Sequence, residues 1–432
     1  MVRNNTTLGA LCAIIALFIL LGPQSACATD DLDLYAFFLV DDTYPVENLE
    51  EFEGDIHIPP RGPANQPLPA GTYTLLFDVE FQEEAISVTF EGSLTIQEYN
   101  AAGGGVGIGC IQVLGMEDAM VTMDEAEEGV DWDGITILTD PSNDALEDWK
   151  ERFASGNHIQ YCHILNTEII PLNEAAIVLG DDDPDIDDAQ VWVHNCHFNE
   201  PVANYNAFLA SNSGLYAFQS NYIEGMVNAF AISCNEALDD AADGLEGDLL
   251  GQVISHNHIT FSVHDGICVN DGWNGTICNN IIENVVMNGI LCTNSEEASI
   301  VNNTLVNIIA GGNQAAICLD GEWCPNVYNN IIVNCTVGIR GTNDDDIFDY
   351  CLLFENDTPF DDCKPANGGN NCIIGNGEDK DPQFVNDVND DYHLLWTSPA
   401  INAGNPNEDY DDPDGSDNDM GAKLVKRVVM LK

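Results

Sequence analysis

Ile277-Cys-Asn-Asn-Ile-Ile282 is the stretch that decides the fold, because its six positions return as Ile254-Ser-His-Asn-His-Ile259, Ile300-Val-Asn-Asn-Thr-Leu305 and Val327-Tyr-Asn-Asn-Ile-Ile332. The shared asparagine stands at Asn257, Asn280, Asn303 and Asn330, in steps of 23, 23 and 27 residues. Periods of this size mark a solenoid, in which each repeat is too small to bury its apolar side alone and does so by stacking on the next. A second phrase follows each of the first: Gly266-Ile267, Gly289-Ile290, Ala316-Ile317 and Gly338-Ile339. Each repeat therefore offers two short runs rich in Ile, Val, Leu and Thr, separated by Asn and Gly, which is strand chemistry with no room for a helix. In the stack each turn asparagine meets the one above and the one below, and their amides chain hydrogen bonds along the axis.

Extended in both directions, the asparagine column takes in Cys162, Cys196 and Asn221 on one side and Cys351 on the other. This pattern resembles the right-handed parallel β-helix of the pectin-lyase-like superfamily. The C-terminal stretches Asp381-Pro-Gln-Phe384, Ser398-Pro-Ala-Ile-Asn-Ala-Gly-Asn-Pro406 and Asp412-Pro-Asp-Gly-Ser-Asp-Asn-Asp-Met-Gly421 resemble the closing segment of secreted bacterial members. The expected fold is all-β, a right-handed parallel β-helix of about nine or ten coils with N- and C-terminal caps.

Residues 1–28 read as a secretory signal: Arg3, the apolar run Leu8 to Leu21, then the small-x-small site Ala26-Cys27-Ala28. Cys27 is the alternative, a lipidation site, disfavoured because Gln24 stands where an aliphatic residue belongs. The expected location is outside the cell or on its surface, with no transmembrane helix in the mature chain. Residues 29–100 read as a lead-in with cap strands, 101–375 as the β-helix, and 376–432 as the closing segment and tail.

The chain carries 73 acidic and 11 basic residues, a formal charge of −62. Nucleic acid is excluded as a partner, because phosphate neutralisation needs Lys and Arg. With 45% hydrophobic residues the charge does not signal disorder. It fits a surface solvated at high salt or carboxylates that collect Ca²⁺. Among the 15 cysteines, those in the asparagine column read as packing residues; Cys363 and Cys372 are the best candidates for a disulfide.

The residue after each ladder position points away from the core. Along the stack it is His163, His197, Tyr222 and His258, then Ile281, Thr304, Ile331 and Leu352. Four neighbouring coils thus present His, His, Tyr and His in one line, with His264 and Asp265 nearby. Such a column can bind a metal, stack on sugar rings or supply an acid and a base. Two long insertions follow the second strands, one containing Asp181, Asp182 and Asp183. Those three residues, and Asp412, Asp414, Asn418 and Asp419 in the closing segment, are the candidate calcium ligands.

Two function classes follow. The first is a non-catalytic solenoid that binds an extracellular polysaccharide or a surface partner. The second, implied by the resemblance, is a Ca²⁺-assisted polysaccharide lyase, epimerase or glycoside hydrolase, with the column and the acidic loops as its cleft. The first is favoured because no complete catalytic set is present: within the coils the only candidate basic residue is Arg340, far along the stack from the column.

Overall fold

The computed structural model describes residues 28–422 except 30, 47–48, 53–55, 61–67, 83–84, 91, 101–105, 126–131, 142–148, 166–174, 181–188, 200–205, 211–214, 226–231, 236–251, 271, 296, 310, 322–324, 343–346, 408–411 and 413–415. The expected signal peptide through Cys27, the calcium candidates Asp181, Asp182, Asp183 and Asp414, and the tail from 423 lie outside the described residues.

The chain is a right-handed parallel β-helix. Among the described residues its strands form three long sheets of 13, 11 and 13 strands, parallel throughout except for Glu98–Asn100, which pairs antiparallel with Val106–Leu114, and they are joined by crossovers of the hand that parallel connections adopt. One coil shows the path. Thr276–Cys278 lies in the first sheet, B; Ile281–Glu283 lies in the second, A; Ile290–Thr293 lies in the third, C, and the chain then returns to B at Ser299–Val301. Each coil therefore has three strands where the sequence suggests two. The six-residue phrase is not a single run, because it bends at its first asparagine. Asn279, Asn302 and Asn329 have φ of 57, 56 and 58°, the left-handed region that asparagine tolerates better than other residues with a Cβ. Cys278, Val301 and Tyr328 end their strands in sheet B, and Ile281, Thr304 and Ile331 start theirs in sheet A.

The second asparagine of each phrase builds the ladder. The backbone N–H groups of Asn221, Asn257, Asn280 and Asn303 donate to the Oδ1 of Asn257, Asn280, Asn303 and Asn330 at 3.0, 2.9, 3.0 and 2.9 Å. Each amide nitrogen also donates to a carbonyl at the end of the sheet B strand of the preceding coil, as Asn280 Nδ2 does to Ile254 O at 2.9 Å. All five ladder asparagines are buried, so the ladder satisfies corner groups that no sheet hydrogen bond reaches.

Cys196 passes its own N–H to Asn221 Oδ1 at 2.9 Å, and its sulfur takes the place of an amide oxygen one coil earlier. Cys372, which precedes the strand Ile373–Gly375 paired with Leu352–Phe354, extends the ladder one rung beyond Cys351. The described cysteines are free thiols. The Cys363–Cys372 disulfide suggested by the sequence is therefore replaced by two separate packing roles: Cys363 is buried with its sulfur 3.4 Å from Ile339 O, while Cys372 continues the ladder. Burial pushes the Cys196 thiol up to about 12, which keeps it unreactive.

The coils begin earlier than the repeat suggests. Glu50–Phe52 and Ser87–Phe90 belong to sheet A, Gly71–Asp78 to sheet B, and Ile56–Ile58 and Gly92–Ile96 to sheet C. The coil therefore already runs through part of residues 29–100, hidden in the sequence by irregular loops, and the number of rungs exceeds the expected nine or ten. The helix Asp31–Phe38 packs its Leu34, Tyr35 and Phe38 into the same core.

The closing segment begins at the end of the stack, where Lys380 Nζ donates to Ile374 O of the last sheet A strand, Ile373–Gly375. It folds back along the outer face of sheet A. Asn302 Nδ2 donates to Asn418 Oδ1 at 3.0 Å and to Asp419 O at 2.9 Å; Gly421 N reaches Asn329 O at 2.8 Å, and Ala422 N reaches Thr304 Oγ1 at 2.9 Å. Leu394, Ala400 and Met420 bury Ile331 and Leu352, and Tyr392 and Ala422 bury Ile281 and Val306.

Candidate functional site

This strap explains why the outward column changes character. From Ile281 onward its residues are Ile, Thr, Ile and Leu, all buried beneath the closing segment. Above that point the column is His163, His197, Tyr222 and His258, each partly exposed. Strand pairing places them on consecutive rungs, His163 beside His197, His197 beside Tyr222, Tyr222 beside His258. The rings meet edge to face at centroid distances of 5.3, 5.0 and 5.2 Å, the arrangement that aromatic quadrupoles favour. Four rungs at roughly 4.8 Å make a line of about 15 Å from the first ring to the last.

The column is acidic at its flank. Burial, then the charges of Glu224, Asp390 and Glu283, raise the Tyr222 phenol above its ordinary range. Burial lowers the His197 imidazole, helped by His163 and opposed by Glu224, so His197 favours the neutral form.

At the boundary between column and strap lies a chain of hydrogen bonds. His258 Nε2 is 2.6 Å from Glu283 Oε1, and the Tyr392 hydroxyl donates to Glu283 Oε2 at 2.6 Å. Glu283 is 3% exposed and Tyr392 2%. His258 and Glu283 stand diagonally on adjacent strands, whose register pairs His258 with Ile281 and Thr260 with Glu283. A buried carboxylate that fixes one imidazole nitrogen leaves the other to exchange protons, the geometry of an oriented acid–base group. Glu283 and Tyr392 were not among the candidates read from sequence. Glu283 could have been found by reading the third position of each sheet A strand as well as the first; Tyr392 could not, since it comes from outside the repeat.

The remaining candidates are dispersed. Asp265 is 2% exposed, and its Oδ1 accepts from Asn288 N at 2.7 Å and from Asn288 Nδ2 at 2.8 Å, while Asn288 Oδ1 accepts from Ala315 N at 2.9 Å. It thus heads a second, short ladder at the corner between sheets A and C, with His264 Nδ1 3.4 Å from its other oxygen. The structure brings together His163, His197, Tyr222 and His258 and leaves His264 and Asp265 around the corner. Asn418 and Asp419 fasten the strap, Asp419 Oδ1 accepting from Asn402 N at 2.7 Å; Asp412 N donates to Ser416 O. The two long acidic insertions leave strands Ala175–Leu179 and Ile232–Asn235 of sheet C and return to sheet B. That corner does not border sheet A, so their attachment points do not flank the column as a two-strand coil would have required.

A second aromatic group stands on sheet B. His158 stacks on Trp192 at 4.8 Å and 7°, Trp192 lies 4.2 Å from His194, and the two histidines meet at Nε2···Nε2 2.8 Å. Burial pushes His158 down to about 4; burial and its neighbour push His194 down to about 3. Both histidines lie in outward positions of strands flanking the ladder, a signal visible once three strands per coil are recognised.

No protein-family model and no curated protein matches this sequence. Among solved structures, the chain is similar to that described as the crystal structure of pectate lyase Pel9A, at 11% identity and a TM-score of 0.27, over 88% of this chain and 89% of the other.

Proposed function

We propose that the chain works outside the cell as a glycan-binding solenoid whose contact surface is the part of sheet A that lies beyond the strap. One observation carries this reading: the outward column carries no ring where the strap covers it, at Ile281, Thr304, Ile331 and Leu352, and becomes four rings in edge-to-face contact where the strap ends. Rings on a rigid rung spacing offer apolar faces and polar edges to an extended sugar chain at little entropic cost. The net charge of −62 favours neutral or cationic glycans over polyanionic ones.

A second reading is supported by His258–Glu283–Tyr392. In it His258 exchanges a proton with the sugar, Glu283 orients its ring, and the polysaccharide is cleaved or epimerised. Calcium belongs to either reading as a proposal resting on Asp181, Asp182 and Asp183, because Asn418 and Asp419 are engaged in holding the strap.

The test is retention of the chain on a panel of neutral, amino and uronate polysaccharides, with and without Ca²⁺, followed by chromatography for products. Retention without products supports the binding reading. Products that disappear in His258→Ala support the second. Neither retention nor products overturns both.

A further inference from the structure

We propose that His158 and His194 form a two-imidazole clasp for a divalent first-row transition ion, with solvent completing the coordination. The geometry is set by the coil. His158 and Trp192 are paired across adjacent strands of sheet B, and His194 stands two residues beyond Trp192 on the same face. The indole ring lies against both imidazoles, parallel to His158 and tilted to His194. Each ring is therefore held with Nε2 pointing at the other, 2.8 Å apart.

Two nitrogens at that distance share one hydrogen, donated by one ring to the lone pair of the other. A tetrahedral zinc bound to two imidazoles at about 2.0–2.1 Å separates their nitrogens by about 3.3 Å, so the clasp needs to open by only about half an ångström. Imidazole suits zinc, nickel and copper, with copper(II) the tightest among them.

Two features favour the metal-ready form. His194 Nδ1 lies 3.0 Å from the side-chain amide of Asn195. The two ends of that amide exchange by a flip, and its oxygen then accepts an Nδ1–H, the outer-sphere contact that orients a ligating histidine. Asn195 itself is fixed at the left-handed corner, with φ of 54°. Burial also keeps both rings uncharged at neutral pH, so an ion meets no proton competition beyond the shared hydrogen. That hydrogen moves to Nδ1 of the donating ring, and no proton leaves the protein on binding. His158 is 6% exposed and His194 more so; the ion enters from the His194 side.

The test is equilibrium dialysis of the full chain at neutral pH and high salt against Cu²⁺ alone and Zn²⁺ alone, comparing wild type, His158→Gln, His194→Gln and, as a control, His393→Gln. The expected result is one ion in wild type and His393→Gln whose affinity falls tenfold or more in each of the other two, with Cu²⁺ quenching of Trp192 emission lost alongside it. Equal stoichiometry and affinity in all four proteins overturns the proposal. If a glutamine variant fails to fold, imidazole ¹⁵N spectra of the wild type decide. Zn²⁺ must shift Nε2 of both His158 and His194, and unchanged resonances overturn the clasp.

Discussion

Tyr392 donates a hydrogen bond of 2.6 Å to Glu283 from a segment 109 residues further along the chain, and both groups are buried. This contact joins the closing strap to the coil at the rung where the exposed column ends. It ties the strap's position to the orientation of His258, because the same carboxylate holds His258 Nε2.

Replacing Tyr392 by Phe leaves a buried carboxylate oxygen short of a donor. We expect a loss of about 1–3 kcal/mol in urea unfolding, together with faster amide exchange in residues 391–422. Unchanged exchange there would show that the strap is held without this bond.

The ladder makes a sharper demand. Asn280→Ala removes the acceptor of Asn257 N–H and two donors at the buried corner, and should cost about 2–4 kcal/mol. Its neighbour Asn279 at the left-handed corner should tolerate Gly within a few tenths of a kcal/mol. The two unfolding curves, compared, separate the roles of adjacent asparagines.

On the binding reading, Tyr222→Ala and His197→Ala reduce glycan affinity about tenfold each, roughly 1.4 kcal/mol, without lowering the melting temperature by more than a few degrees. Affinity electrophoresis measures the first and thermal unfolding the second.

The neutral His158–His194 pair predicts acid sensitivity. Both imidazoles are held below the ordinary pKa of about 6.5, at about 4 and about 3. Between about 6.5 and 4 the unfolded chain binds protons that the folded pair does not, so the pair's contribution is present at neutral pH and lost as pH falls. Wild type should lose of the order of 4 kcal/mol more than the His158→Gln/His194→Gln double variant between pH 7 and 5, about half from each imidazole. Carboxylate protonation affects both proteins alike, and parallel stability profiles would contradict the prediction.

For calcium, the expected outcome is a higher melting temperature with millimolar Ca²⁺ that reverses on chelation and is absent from a variant with Asp181, Asp182 and Asp183 changed to Asn. A melting curve indifferent to chelation removes calcium from the proposal.

The repeated Asn phrase determined the solenoid, the ladder at Asn257, Asn280, Asn303 and Asn330, and the line of His163, His197, Tyr222 and His258. In a coil of near-constant length, residues one period apart become neighbours, so the sequence repeat is itself a contact map. Only the tertiary structure decided what breaks that period. The bend at Asn279 divides one phrase between two sheets, and a three-sided coil attaches the acidic insertions at the corner between sheets C and B rather than at an edge of sheet A. His158 reaches His194 diagonally across rungs, and the strap selects which rungs stay open. The strap's docking rests on single contacts such as Tyr392 to Glu283, which have no counterpart one repeat away and so leave no periodic trace in the chain.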